Sequence, residues 1–143
     1  PDVILSGRNV NNNIPDLIFN KILRIINKKE FSLFQSNVLI LGITFKENCP
    51  DVRNTKVVDL IKALIDYGTN ITIHDPWADE EEVMYEYGFN SQRNLPEKKY
   101  DAVVLAVSHD KFNELDILSF KKQKGVIYDV KNFLDKNIIN GSL

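Results

Sequence analysis

Between Ser36 and Pro76 the hydrophobic pattern changes period twice, and that constrains the fold more than any other feature of the chain. Asn37 to Ile43 is a short, nearly unbroken apolar run rich in Val, Leu and Ile. Such a run fits a strand covered on both faces. From about Thr55 the period lengthens: Val57, Val58, Leu60, Ile61, Leu64 and Ile65 fall at helical spacing, and Gly68 follows as a stop. Ile71 and Ile73, with polar residues between them, restore an alternating strand. A strand, helix, strand unit closes as a right-handed crossover between parallel strands, which puts the loop from Thr44 to Asn54 at the carboxyl edge of the sheet. Ligands bind at that edge in open α/β sheets.

The rest of the chain extends this pattern. Asn11 to Asn13 supply capping candidates, Pro15 suits a first helical turn, and an apolar arc from Ile14 to Ile26 predicts a helix ending before a connector over 28–35. Phe19 and Leu23 make that arc wider than one covering surface requires, so it predicts either a fully buried helix or a second covering domain or subunit. Asp75-Pro76 marks a turn, and Ala78 to Tyr87 a short helix with Asp79, Glu80, Glu81 and Glu82 at its favourable, positive end. Asn90 to Lys99 reads as an exposed connection, Asp101 to Val107 as a strand, Phe112 to Phe120 as a weak helix, and Gly125 to Asp129 as the last strand. Pro1 to Arg8 is too short to assign, with Gly7 as a turn. The fold expected is α/β: a doubly wound, mainly parallel, Rossmann-like sheet preceded by a long helix.

Composition narrows the function. With 143 residues, 43% of them hydrophobic, one core is expected. Its 18 basic and 20 acidic residues nearly cancel without long blocks, which implies neither a nucleic-acid nor a membrane surface. The single cysteine, Cys49, excludes an internal disulfide; no paired-His or C-x-x-C spacing points to a metal. With no signal peptide and no membrane-length apolar run, a cytoplasmic protein is expected, and the start at Pro1 suggests a piece of a longer one.

Four strands are predicted to end in polar clusters along one edge: Thr44-Phe45-Lys46, His74-Asp75, Ser108-His109 and Asp129-Val130-Lys131. No G-x-G-x-x-G or P-loop is present, so this domain alone is not expected to hold NAD or ATP. Instead the first loop offers Lys46, Arg53 and the helix start near Asn54-Thr55, whose free amides attract phosphate. Lys46 alone would be a solvated lysine; the expectation that Lys131 shares its edge makes it a ligand candidate. Arg53 could instead form a salt bridge to Asp51 or to another carboxylate. Cys49 has no activating neighbour in view and reads as structural. His74 and His109 have acid/base chemistry available but at strand ends more often bond to nearby backbone, and Asp75 is expected to cap the turn that follows it.

The run GITFKENCPDVRNTKVVDLIKALIDYGTNITIHDPWAD, Gly42 to Asp79, closely resembles the carboxyl-terminal domain of the UDP-glucose/GDP-mannose dehydrogenase family. PDVILSGRNVNNN, Pro1 to Asn13, resembles the opening of the last part of that family's long central helix. ENCPDVRNT is most like the branch that oxidises UDP-N-acetylhexosamines. The resemblance implies residues 1–35 as the end of the central, dimerisation helix plus connector, and 36–143 as the UDP-sugar-binding domain. It implies an NAD-dependent oxidation of a UDP-sugar 6-alcohol to the uronate for polysaccharide synthesis, in a homo-oligomer. Phe45, Lys46 and Lys131 match UDP-sugar contacts, Arg53 matches an arginine that reaches NAD, and Arg8 matches an arginine to which no role is assigned. The family's catalytic cysteine and NAD loop belong to segments absent here, and Cys49 is not in the nucleophile's motif. The chain is therefore expected to contain no catalytic residue, to be inactive alone, and to need the missing NAD-binding domain as partner. Two non-enzymatic alternatives share the fold: a receiver-like regulator, which needs clustered carboxylates for magnesium at the first strand's end, and a domain serving only in assembly.

Overall fold

A computed structural model describes residues 14–143; the expectations for Pro1 to Asn13, including the Gly7 turn, the Asn11–Asn13 caps and Arg8, lie outside the described residues. The elements are α1 (Ile14–Lys28), β1 (Asn37–Leu41), α2 (Val57–Tyr67), β2 (Asn70–His74), α3 (Glu80–Tyr87), β3 (Tyr100–Leu105), two short 3-10 turns (Asp110–Glu114 and Ile117–Phe120), β4 (Lys121–Asp129) and β5 (Gly141–Ser142). The five strands form one sheet in the order β2-β1-β3-β4-β5, with every pairing parallel. The crossover unit stands as expected, with Gly68 closing α2.

Apolar runs follow from two cores, one on each face. Val38 and Ile40 of β1, Ala102 and Val104 of β3, and Val126 and Tyr128 of β4 meet α1 and α2. The alternate residues Leu39, Leu41, Val103, Leu105 and Ile127 meet Phe112, Ile117 and Phe120 on the other side. Burying each large aliphatic side chain contributes about 1.5–3 kcal/mol, so these strands tolerate no polar face. The second layer is built from 3-10 turns and the stretch 133–139, in place of the expected helix over 112–120. The helical course breaks at Leu115 and Asp116 between the two turns; Phe112, Ile117 and Phe120 are buried, while Leu118, on the stripe expected of that helix, is 45% exposed.

α1 belongs to the first core through Ile18, Ile22 and Ile26. Its extra width is taken up largely within the chain: Phe19 meets Tyr67 of α2 edge-on at 5.5 Å, and Leu23 packs on the same core. Two strand features differ from expectation. β4 begins four residues earlier, at Lys121, and shifts register against β3 before Val126. β5 is two residues of Gly and Ser, which carry no hydrophobic period.

β1 and β3 end sooner than their apolar runs because of Gly42. It adopts φ +97°, and a Cβ there would stand 2.5 Å from Val107 Cβ and 2.9 Å from Val107 N. Leu41 O then receives both Ala106 N (2.9 Å) and Val107 N (3.3 Å), locking the two strand ends together. Gly42→Ala combines a disfavoured backbone with a backbone clash and is expected to lose about 2–4 kcal/mol. Gly88→Ala, at φ +74° with open space around the new methyl, is expected to lose about 1 kcal/mol. Urea unfolding of both variants checks the difference; equal midpoints would show that the Val107 contact is not limiting.

Candidate functional site

At the carboxyl edge the ends of β1 and β4 and the start of α2 enclose a cleft of about 200 Å³. Phe45, Lys46 and Lys131 all line it, so three of the four candidates come together. Phe45 is 57% exposed, an unusual position for a ring with no structural duty. Lys56 adds a third cation, and Ile14, Pro15 and Ile18 of α1 form one wall. Sequence reasoning missed both contributions: Lys56 sits inside a helix start, and α1 was not expected to reach this edge.

Arg53 stands elsewhere. Its guanidinium binds Asp51 through Nε (3.0 Å) and Nη2 (3.2 Å), on an outer surface shared with Cys49, Pro50 and Glu82. The Arg53 guanidinium holds the exposed Asp51 carboxyl below its ordinary range. Cys49 therefore lies on that outer side of the loop, and both histidines are engaged in other bonds.

The cleft residues are placed by two buried carboxylates. Asp75, 1% exposed, accepts Ile43 N (2.7 Å) and Thr44 N (3.2 Å) on Oδ2, and Trp77 N (2.8 Å) and Ala78 N (3.2 Å) on Oδ1. It caps its own turn as expected and also fixes the loop that follows β1. Asp129, fully buried, accepts Lys131 N (3.1 Å), Phe133 N (2.8 Å) and Leu134 N (2.8 Å), and thereby positions the Lys131 backbone. Its signal was an Asp two residues before the lysine at a strand end, the pattern of an Asx-turn. Both carboxylates are filled by backbone donors, which leaves neither as the open magnesium cluster of a receiver module. Among the described residues no group of three or more His, Cys, Asp or Glu is placed to hold a metal ion, and no helix is long and apolar enough to cross a membrane.

The start of α2 contributes Thr55, whose hydroxyl donates to Thr44 O (3.4 Å) and accepts Val57 N (3.3 Å). At the acidic helix, Asp79 caps Glu81 N and Glu82 N, the solvated helix start expected there. His74 Nδ1 faces Gln92 O at 3.1 Å, a nearby backbone partner. His109 also bonds to backbone, with Asn48 N on Nδ1 (2.9 Å), but it is fully buried and adds Asp75 on Nε2 (3.0 Å). A ring so enclosed cannot meet a reacting atom, so it is no acid or base for a ligand.

A model of the UDP-glucose/GDP-mannose dehydrogenase family, UDP binding domain, matches residues 39–136. The chain is 42% identical over 137 residues to a UDP-N-acetyl-D-glucosamine 6-dehydrogenase of Salmonella typhi, covering 94% of this chain and 32% of that protein. A Pseudomonas aeruginosa protein of the same name is 36% identical, with 96% and 33% covered. The chain thus spans about a third of the length of the curated relatives it matches. Among solved structures, a UDP-D-ManNAc dehydrogenase of Pyrococcus horikoshii superposes with a TM-score of 0.74 at 15% identity, covering 92% of this chain and 31% of that one. A UDP-N-acetyl-mannosamine dehydrogenase of Staphylococcus aureus gives 0.72 at 21% identity, with 99% and 32% covered. These two structures share the fold.

Two buried groups at the end of β2 make the fold acid-sensitive. Burial pushes the His74 imidazole below its ordinary 6.5, against the opposing pull of the Gln92 and Asn94 backbone and Asp75. Burial pushes the Asp75 carboxyl up, but His109 and the amides of Ile43 and Trp77 more than offset it, leaving it below its ordinary 3.8. Both folded values are depressed, so each contribution is full above the ordinary value and is lost as pH falls through the lower, folded one. Stability measured by urea unfolding is expected to decline first below about pH 6.5, through His74, and again below about 3.8, through Asp75. His74→Asn should flatten the first decline. Asp75→Asn should remove the second while lowering neutral stability by about 3 kcal/mol or more, since it turns an amide donor toward backbone N–H groups. An unchanged acid profile in both variants would contradict this assignment.

Proposed function

The chain belongs to the UDP-glucose/GDP-mannose dehydrogenase family, and on that footing we propose that it is the carboxyl-terminal, UDP-sugar-binding part of an NAD-dependent UDP-N-acetylhexosamine 6-dehydrogenase. The observation that carries the proposal is the convergence of Lys46 and Lys131, from two separate strand ends, on one cleft beside the start of α2. A nucleoside diphosphate suits that cleft: two lysines and Lys56 meet the diphosphate charge, and the apolar wall from α1 accepts a flat, weakly polar ring. Phe45 is assigned to cover the ligand with its exposed ring. The hexosamine branch is favoured by the two UDP-N-acetyl-D-glucosamine 6-dehydrogenases among the relatives.

The reaction proposed for the whole protein takes the alcohol to the carboxylate through the aldehyde. It consumes one water and reduces two NAD molecules, which supply the hydride-accepting chemistry when bound. This chain's residues do not fit a dinucleotide by themselves. The one glycine after β1, Gly42, has its open side filled by Val107, so no backbone cradle remains for a pyrophosphate. Binding and orienting the sugar nucleotide is the share assigned here. Arg53 is assigned to reach NAD bound by the missing part: Asp51 engages Nε and Nη2, which leaves Nη1 for a second anion. Residues 36–143 form the binding unit in this reading, and 1–35 end the central helix and connector, with α1 serving as a cleft wall. Homo-oligomer formation, docking of the NAD-binding part, a cytoplasmic location and supply of polysaccharide precursors belong to the same proposal.

Titration of the chain with UDP, by calorimetry or NMR, tests the central claim. Charge-assisted bonds to phosphate contribute roughly 1.5–3 kcal/mol each, so Lys46→Ala and Lys131→Ala should each weaken binding by about tenfold or more, with affinity falling as salt rises. Arg53→Ala should leave UDP affinity unchanged. Equal affinity in wild type and both lysine variants would remove the lysines from the site.

A further inference from the structure

His109 is bonded on both ring nitrogens, and the directions of those bonds fix its chemistry. Asn48 N–H points at Nδ1 from 2.9 Å, so Nδ1 must accept. The ring proton therefore sits on Nε2, where it is shared between Asp75 Oδ2 (3.0 Å) and Thr44 Oγ1 (3.2 Å). Thr44 in turn gives its hydroxyl proton to Lys46 O at 2.9 Å. A continuous chain thus runs from Asp75 and His109 through Thr44 to the Lys46 backbone. The far side of the loop is tied as well. Asn48 adopts φ +55°, and its Oδ1 accepts Asp110 N at 2.9 Å, so the His109-Asp110 pair grips Asn48 by two bonds. The ring cannot turn to the opposite tautomer, which would set N–H against N–H at Asn48 and a lone pair against the Asp75 carboxylate. Phe112, edge-on at 5.3 Å, and Trp77, stacked at 6.3 Å, hold it in plane.

We propose that His109 is the positioning residue for the ligand loop: in its Nε2–H tautomer it clamps the loop at Thr44 and Asn48, on either side of Lys46, and so sets where Phe45 and Lys46 stand in the cleft. The inference rests on reading that cleft as the UDP site. It assigns His109 a role no general packing histidine has, because an apolar side chain of similar volume would fill the space yet remove one tie at each end of the loop, leaving Thr44 to Asp75 and Asn48 to Asp110 N.

Nitrogen NMR of the histidine ring in the 143-residue chain gives the first test. Nδ1 should report an unprotonated, hydrogen-bond-accepting nitrogen and Nε2 a protonated one; the reverse tautomer overturns the proposal. UDP titration gives the second. His109→Leu should weaken binding by about tenfold or more, comparable to losing a charge-assisted bond. His109→Asn, whose carboxamide oxygen stands where Nδ1 stood, restores the Asn48 end alone and should recover part of that loss. Wild-type affinity in a folded His109→Leu protein overturns the proposal, as does a folded His109→Asn protein no better than His109→Leu. Should His109→Leu fail to fold, the ring tautomer and the His109→Asn titration decide. Should wild type bind no UDP, the cleft reading itself fails, and positioning is then judged from the Phe45 and Lys46 amide shifts. Displacement of those signals in His109→Leu and their return in His109→Asn supports it, and unmoved signals overturn it.

Discussion

The carboxyl edge is organised by a single buried charge, the Asp75 carboxylate. Taking a carboxylate out of water is unfavourable by several kcal/mol, and burial is sustained only when donors fill its lone pairs. Asp75, which follows β2, is met by four backbone amides and the His109 ring, drawn from the ends of β1 and β3 and from the turn before α3. Three strands therefore cannot end independently. The same bonds that offset the charge dictate where the chain leaves each strand, and the loop carrying Lys46 inherits its course from them.

Asp129 repeats this solution at β4 on a smaller scale. Its carboxylate gathers the amides of the following turn, and Lys131 projects from that turn. The Lys131 backbone is thus anchored directly by a buried carboxylate, and the Lys46 backbone through Thr44, whose amide Asp75 holds and whose hydroxyl donates to Lys46 O. A mobile lysine loses much conformational entropy on meeting a phosphate. Fixing the backbone in advance lowers that penalty, which is what the proposed UDP site requires of a small, open cleft with few contacts.

How much was legible in the sequence follows from where each signal lives. The parallel strands, α2 and Gly68 were legible because burial on two faces, or on one stripe, writes itself into the hydrophobic period. β5 was not, since Gly141 and Ser142 join the sheet through backbone bonds alone. The second layer was misjudged because 3-10 turns bury isolated residues such as Phe112 and Ile117 without a repeat. At the site, Lys46 and Lys131 were legible as cations at strand ends, and the possible Arg53–Asp51 pair was visible from their spacing. The Asp75–His109–Asn48 connections were hidden. Residues 34 and 61 positions apart meet only once the sheet exists, and no local pattern announces them.

This arrangement also explains why a dinucleotide-type sheet can do without a glycine-rich loop. In such loops, backbone amides bind the phosphate, and glycines are needed so that the chain can approach it. Here the amides after β1 are turned inward, onto Asp75, and Gly42 is occupied by Val107. In the proposed UDP site, recognition is thereby transferred from backbone to side chains. The consequence is a site whose charge comes from long, solvated cations and whose shape comes from buried carboxylates. On that proposal, substituting a lysine changes affinity while sparing the fold, whereas substituting Asp75 or Asp129 changes both. Separating these two kinds of residue is what allows the loop after β1 to present side chains on two sides, Phe45 and Lys46 toward the cleft and Arg53 toward the outer surface, from one fixed backbone course.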